Sequence, residues 1–76
     1  MQRYANLDGD SGVAAYECRP GEIRLRFADR ATVYVYTRSH PGMAHVREMQ
    51  RLATAGRGLA TYVNQHVRDD YEYAIE

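Results

Sequence analysis

The alternation of polar and apolar residues along positions 22–27 limits this chain more than any other feature of its sequence. Ile23, Leu25 and Phe27 fall on one side of an extended segment, and the arginines between them fall on the other. A period of two residues fits a strand with one buried face and does not fit a helix. The segment therefore predicts a half-buried strand whose second face carries arginine.

Two further strands are expected on either side of this segment. Residues 13–18 form a plausible first strand, and Pro20 with Gly21 supplies the turn that ends it. Residues 32–36 are β-branched and aromatic, which favours a third strand. The order along the chain indicates an antiparallel meander of three strands.

The register of the second hairpin depends on its turn. A two-residue loop at Asp29 and Arg30 determines which residues lie directly opposite each other, and opposite residues share a face. The resulting pairs are Phe27–Thr32, Leu25–Tyr34 and Ile23–Tyr36. A slip of one residue would instead place Val33 and Val35 on the core side.

Two helices are expected after the strands. Apolar residues recur at helical spacing in both of them: Met43, Val46, Met49, Leu52 and Ala53 in the first, and Leu59, Tyr62, Val63, His66 and Val67 in the second. Pro41 suits the first turn of the first helix, with Ser39 or His40 as its cap. Gly56 is expected to end that helix.

These elements predict an α+β domain in which both helices pack on one face of the sheet. A chain of 76 residues forms one domain, here 1–76, with a core at about residues 11–71 and a loop or frayed N-terminus at residues 1–10. The predicted core residues are Leu25, Phe27, Tyr34, Tyr36, Val46, Met49, Leu52, Tyr62 and Val63.

Charge is distributed unevenly although the formal net charge is zero. Residues 19–57 carry eight arginines against three acidic residues, and both flanking segments are acidic. Every cation is an arginine, which suits phosphate recognition, but a GC-rich coding genome would give the same bias. The arginines expected to form a phosphate surface are Arg24, Arg26, Arg47, Arg51 and Arg57.

Catalysis and metal binding find little support in the sequence. Cys18 is the single cysteine, and no activating helix start lies near it, so an inert thiol is favoured over a nucleophile paired with a histidine. His40 and His45 are five residues apart and lack a third ligand for zinc. The run at residues 8–12 lacks the closing Glu of a calcium loop. No enzymatic activity, cofactor or small-molecule substrate is therefore expected.

The location expected for the chain is cytoplasmic. A single cysteine cannot form an intrachain disulfide, which agrees with a reducing compartment. No apolar run is long enough to span a bilayer, and the first residues lack the apolar stretch of a signal peptide.

The order of three motifs resembles that of the KTSC family, short domains seen as stand-alone bacterial and phage proteins and at the C-terminus of some lysyl-tRNA synthetases. The motifs are Tyr34-Val35-Tyr36 at the end of the last strand, Pro41 before a helix, and Gly56-Arg57-Gly58-Leu59 before an aromatic segment ending at Tyr71. The connections before Tyr34 and before Pro41 are each about one residue longer than in the usual pattern. The resemblance implies a fold and no assigned activity.

Two binding functions remain open. One is nucleic-acid binding, DNA or RNA, through the five arginines, with tyrosines as stacking surfaces. The other is protein interaction or homodimerisation through a patch in which Val33 and Val35 adjoin Arg24 and Arg26.

Overall fold

The computed structural model describes residues 1–9 and 11–76. Five strands form one antiparallel sheet in the order β1-β2-β3-β4-β5. They are β1 (Gln2–Arg3), β2 (Val13–Arg19), β3 (Glu22–Phe27), β4 (Val33–Thr37) and β5 (Tyr73–Ile75). Two helices lie between β4 and β5: α1 (Met43–Ala55) and α2 (Leu59–Tyr62), and α2 continues as a π-helical segment (Val63–Val67). The α+β class is confirmed, and the expected meander is the central part of a larger sheet.

The N-terminal residues belong to the fold, so the loop or frayed end expected there is wrong for residues 2–4. Gln2 lies opposite Tyr16, and Arg3 lies opposite Ala15. Tyr4 is only 3% exposed, and its hydroxyl accepts a hydrogen bond from the Leu59 backbone N–H at 3.3 Å. A two-residue strand is too short to show a period, which is why the sequence pattern does not reveal it.

The predicted register of the β3–β4 hairpin is confirmed, since Leu25 lies opposite Tyr34 and Ile23 lies opposite Tyr36. The tight loop that suggested this register is wrong. The ladder stops at Arg26 and Val33, and residues 28–32 connect the strands. A wider connection that is centred on the same point leaves the pairing unchanged.

The helices cover one face of the sheet, which we call the inner face. Tyr16, Ile23, Leu25 and Tyr36 of the sheet share one hydrophobic core with Val46, Met49, Ala53, Leu59, Val63 and Val67 of the helical layer. Phe27, Tyr34, Leu52 and Tyr62, which the sequence assigns to the core, are partly buried at its margin. The core prediction is therefore confirmed for the residues at the centre of the core, and it includes four residues that are only partly buried.

The ends of the helices differ from the expectation at one point and agree at another. α1 begins at Met43 after Gly42 and has no side-chain cap, so the expected caps at Ser39 or His40 and the first-turn position of Pro41 are wrong. Gly56 ends α1 in the left-handed conformation, as predicted, with φ of 81°. His66, predicted on the apolar stripe, is exposed.

Candidate binding surfaces

The second face of the sheet, which we call the outer face, lies opposite the helices and carries both arginine and apolar side chains. α1 packs against β3 and β4 through the inner-face core. Because side chains alternate along a strand, Arg24 and Arg26 lie on the outer face. Cross-strand pairing places two rows there: Arg3, Ala15, Arg26, Val33 and Ile75 in one, and Glu17, Arg24, Val35 and Tyr73 in the next.

Apolar side chains on the outer face fall into two groups by exposure. Val35 is fully buried and Ala15 is 8% exposed, although neither belongs to the core beneath the helices. Val35 is flanked by the longer side chains of Arg24 and Tyr73, its two cross-strand neighbours. Tyr73 and Ile75 at the edge remain 44% and 43% exposed. The outer face thus has a shielded centre and an apolar edge that is open to solvent.

Carboxylates neutralise part of the positive charge of the outer face. The Arg24 Nε donates to the Glu22 carboxylate at 2.6 Å, and this hydrogen bond raises the pKa of the Arg24 guanidinium. Arg19 forms a similar pair with Glu17. Arg26 donates to the backbone carbonyl of Arg30 at 3.5 Å. The charge of Arg26 is therefore not neutralised by a carboxylate of the described residues and is available to a ligand, whereas Arg24 is already paired with Glu22.

The two helical arginines lie on the opposite side of the sheet from Arg24 and Arg26. Both Arg47 and Arg51 are exposed on α1, which covers the inner face. Arg51 forms an ion pair with Glu48, and the hydrogen bond from Arg51 lowers the pKa of that carboxyl. Among the described residues, Arg47 has no ion-pair partner.

Arg57 forms a third, separate location. It lies between α1 and α2 and lines a small cleft of about 210 Å³ together with Tyr4, Asn6, Asp8 and Ser11. The structure therefore divides the five predicted arginines among three places. One continuous phosphate surface made from all five does not exist.

The histidines are engaged with groups other than the thiol. His40 Nδ1 lies 3.2 Å from the Asp70 carboxylate, and His45 Nδ1 lies 2.6 Å from the Tyr62 hydroxyl. The rings of Tyr62 and His66 lie 4.5 Å apart. The i, i+4 spacing of Tyr62 and His66 could have revealed their contact, but His45 reaches them from another helix.

Cys18 is an exposed residue, but neighbouring protein atoms partly desolvate its thiol, which raises the pKa of the thiol and disfavours the reactive thiolate. No group of three or more His, Cys, Asp or Glu side chains within residues 1–9 and 11–76 could hold a metal ion. The calcium-loop alternative includes Asp10, which lies outside the described residues.

An aromatic cleft of about 410 Å³ lies at one end of the inner face. Phe27 and Tyr34 come from the β3–β4 hairpin, and Tyr71 comes from the segment before β5. The rings of Tyr34 and Tyr71 lie 4.9 Å apart at an interplanar angle of 62°. Sequence analysis places Tyr34 in the core and does not anticipate this cleft, because Tyr71 reaches it from a distant part of the chain.

In the part of the chain that the structure describes, the helices are too short or too polar to cross a bilayer. Comparison of the sequence and structure with family models, with curated proteins and with solved structures finds no match. The resemblance to the KTSC family accordingly stays a prediction from the order of motifs.

Proposed function

We propose that the chain is a non-enzymatic accessory module of the KTSC type that binds a protein partner, first of all a second copy of itself, through the outer face of its sheet. The observation that carries this proposal is the cross-strand row in which Arg24, Val35 and Tyr73 adjoin. Arginine and tyrosine beside aliphatic side chains are the composition enriched in protein interfaces.

The exposure of the β5 edge supports the same conclusion. Tyr73 and Ile75 are two of the four large apolar side chains that stay exposed among the described residues, and both lie on the outer face. A specific interface of about 1,000 Å² needs about 500 Å² from each copy. The whole chain exposes 4629 Å², so each copy would contribute about a ninth of its surface.

The ion pairs on the outer face favour a protein over a polyanion. Arg24 is already paired with Glu22, and Arg19 is paired with Glu17. A phosphate backbone would have to displace these carboxylates, whereas a second copy presents both charges and can exchange partners with them. The part of the outer face that carries these two ion pairs is self-complementary in this sense.

Sedimentation of the full chain over a wide concentration range tests the proposal. We expect the apparent mass to double as concentration rises, and the exchanged ion pairs should make the association weaken modestly as salt is added. The double variant Tyr73→Ser with Ile75→Ser should stay monomeric. Leu7→Ser is the matched control, because Leu7 is 58% exposed and lies outside the sheet. A wild-type chain that remains monomeric at about 1 mM would show that the proposed self-association is wrong.

Nucleic acid is a second candidate, and the row that contains Arg3 and Arg26 favours it. Neither of these arginines has an ion-pair partner among the described residues, and only Ala15 separates them across the sheet. Phosphate binding predicts affinity that falls steeply with salt.

Titration against labelled double-stranded DNA, single-stranded DNA and tRNA at low and moderate salt tests this second candidate. Arg26→Ala should weaken binding, and Arg51→Ala on the far side of the sheet should not. Binding that is absent, or that does not respond to salt, would exclude a phosphate surface.

A further inference from the structure

The aromatic cleft has the chemistry of a second binding site, separate from the outer face. Its volume of about 410 Å³ falls within the range of ligand pockets. Aromatic and aliphatic side chains line it beside nearly as many polar ones: the apolar residues are Phe27, Tyr34, Tyr36, Tyr71, Ala60 and Val63, and the polar residues include Asp29, Arg30, Asn64, Arg68 and Asp69. It therefore offers apolar contact and directional hydrogen bonds to one ligand.

The rings of the cleft meet edge to face. Tyr34 packs on Phe27 at an interplanar angle of 66° and on Tyr71 at 62°, and Tyr36 packs on Tyr71 at 81°. Rings at such angles form V-shaped notches between one ring face and the next ring edge. A flat nucleobase prefers a ring face parallel to itself, whereas a puckered aliphatic ring fits a notch.

The polar groups of the cleft favour a ligand that presents carbonyl oxygens. Arg30 Nη1 donates to the Tyr34 hydroxyl oxygen at 2.8 Å, which leaves the hydroxyl proton to be donated elsewhere. Among the described residues, neither the Tyr71 hydroxyl nor the Asn64 side-chain amide has a hydrogen-bond partner. Three residues that line the cleft thus carry donors that a ligand could use.

Charge at the rim argues against a polyanion. Arg30 and Arg68 are balanced by Asp29 and Asp69, and Arg30 is hydrogen-bonded to Asp29 at 3.2 and 3.3 Å. Since these charges are already balanced, the rim favours a neutral ligand, which leaves the ion pair between Arg30 and Asp29 undisturbed.

We propose that the cleft binds a proline-rich segment of a partner protein in the polyproline II conformation. Proline rings fill notches between aromatic rings in the known recognition mode for such segments. The polyproline II backbone forms no internal hydrogen bonds, so its carbonyls are free to accept from the tyrosine hydroxyls and from Asn64. The segment differs from the partner of the outer face and needs no change in that surface.

The probe is an end-capped polyproline peptide of about ten residues, titrated into the ¹⁵N-labelled full chain. We expect saturable shifts by about 1 mM, confined to backbone amides in residues 28–30, 64 and 68–71. A glycine–serine peptide of equal length should cause none. The Tyr73→Ser, Ile75→Ser double variant should bind the peptide as the wild type does, which separates this site from the proposed function.

Asn64→Ala removes the donor proposed to bind a peptide carbonyl and should lower the affinity for the peptide about fivefold. Gln65→Ala is the matched control, since Gln65 is also exposed, adjacent in sequence and outside the cleft lining, and it should leave affinity unchanged. Tyr34→Phe keeps the ring and should also weaken binding. Unchanged thermal stability of these variants would confirm that they are folded.

Three results would overturn the proposal. They are the absence of shifts, equal binding of the glycine–serine peptide, and shifts that map to the outer face. A thymidine oligonucleotide that saturates the cleft in place of the peptide would identify a nucleic-acid site and exclude the peptide class.

Discussion

The two faces of the sheet bury their central residues by different means. On the inner face, Leu25 is fully buried beneath the helical layer. On the outer face, Val35 is equally buried, but it is flanked by Arg24 and Tyr73 on the neighbouring strands. Burial by a second layer stabilises the fold, whereas burial by neighbouring long side chains leaves a surface that can still meet a partner. Equal exposure values therefore do not imply equal roles.

The largest loss of stability is expected from a substitution on the inner face. Leu25→Ala removes a fully buried side chain and should lower the free energy of unfolding by about 2–5 kcal/mol. Since small domains are only marginally stable, this loss is enough to unfold much of the population. Urea denaturation followed by circular dichroism measures it.

Val33→Ala provides a comparison at a partly exposed position of the outer face. Val33 is partly exposed and lies on the outer face, in the strand that pairs with β3, so the loss should be below about 1 kcal/mol. Equal losses for Leu25→Ala and Val33→Ala would show that the two faces contribute alike to stability.

A smaller effect is expected where the helical layer meets the N-terminal segment. Gly56 has φ of 81°, and a Cβ there would lie 2.8 Å from the Ala5 Cβ. Gly56→Ala should therefore cost about 1–3 kcal/mol, and each kcal/mol lowers the melting temperature by about 4–8 °C in a domain of this size.

Gly12→Ala is the control for this prediction. The nearest atom to a Cβ at Gly12 is on Phe27 at 3.9 Å, an ordinary contact, and the backbone there is not left-handed. The substitution should change the free energy of unfolding by about 0.5 kcal/mol or less. The melting temperature should therefore stay within a few degrees of the wild type. A Gly56→Ala variant that melts with the wild type would mean that the Ala5 segment moves aside without cost.

The smallest effect concerns pH and the inner-face hydroxyl of Tyr36. Burial raises the pKa of Tyr36 above its ordinary value of about 10. The unfolded chain therefore loses this proton first, so the stabilisation is present below about pH 10 and is lost as pH rises further. Tyr36→Phe should lose less stability than the wild type between about pH 9 and pH 11. Parallel stability curves for the two proteins would contradict this assignment.

Local patterns in the sequence predict the centre of this structure well. Alternation fixes the β3 faces, and the pairing of Leu25 with Tyr34 follows from the midpoint of the hairpin rather than from its turn. Helical spacing and Gly56 predict α1 and its end. Each of these features depends on residues that are close together in the chain.

Features that join distant segments escape sequence reasoning. β5 pairs with β4 after two intervening helices, and this pairing places Tyr73 beside Val35. Tyr71 reaches Tyr34 by the same route and completes the aromatic cleft. The ion pairs of Arg24 and Arg51 are different, because they join residues that are close in the chain. Glu22 and Glu48 lie two and three residues away, and this spacing could have revealed the pairs.

The hydrogen bond from Leu59 to the Tyr4 hydroxyl joins residues 55 positions apart. A backbone amide exchanges its proton with solvent when its hydrogen bond opens, and segments that open together exchange at a common rate. We therefore expect the first turn of α2 and the N-terminal segment around Tyr4 to open together, although most of the chain separates them. Removing the first four residues would speed amide exchange in a helix near the other end of the sequence.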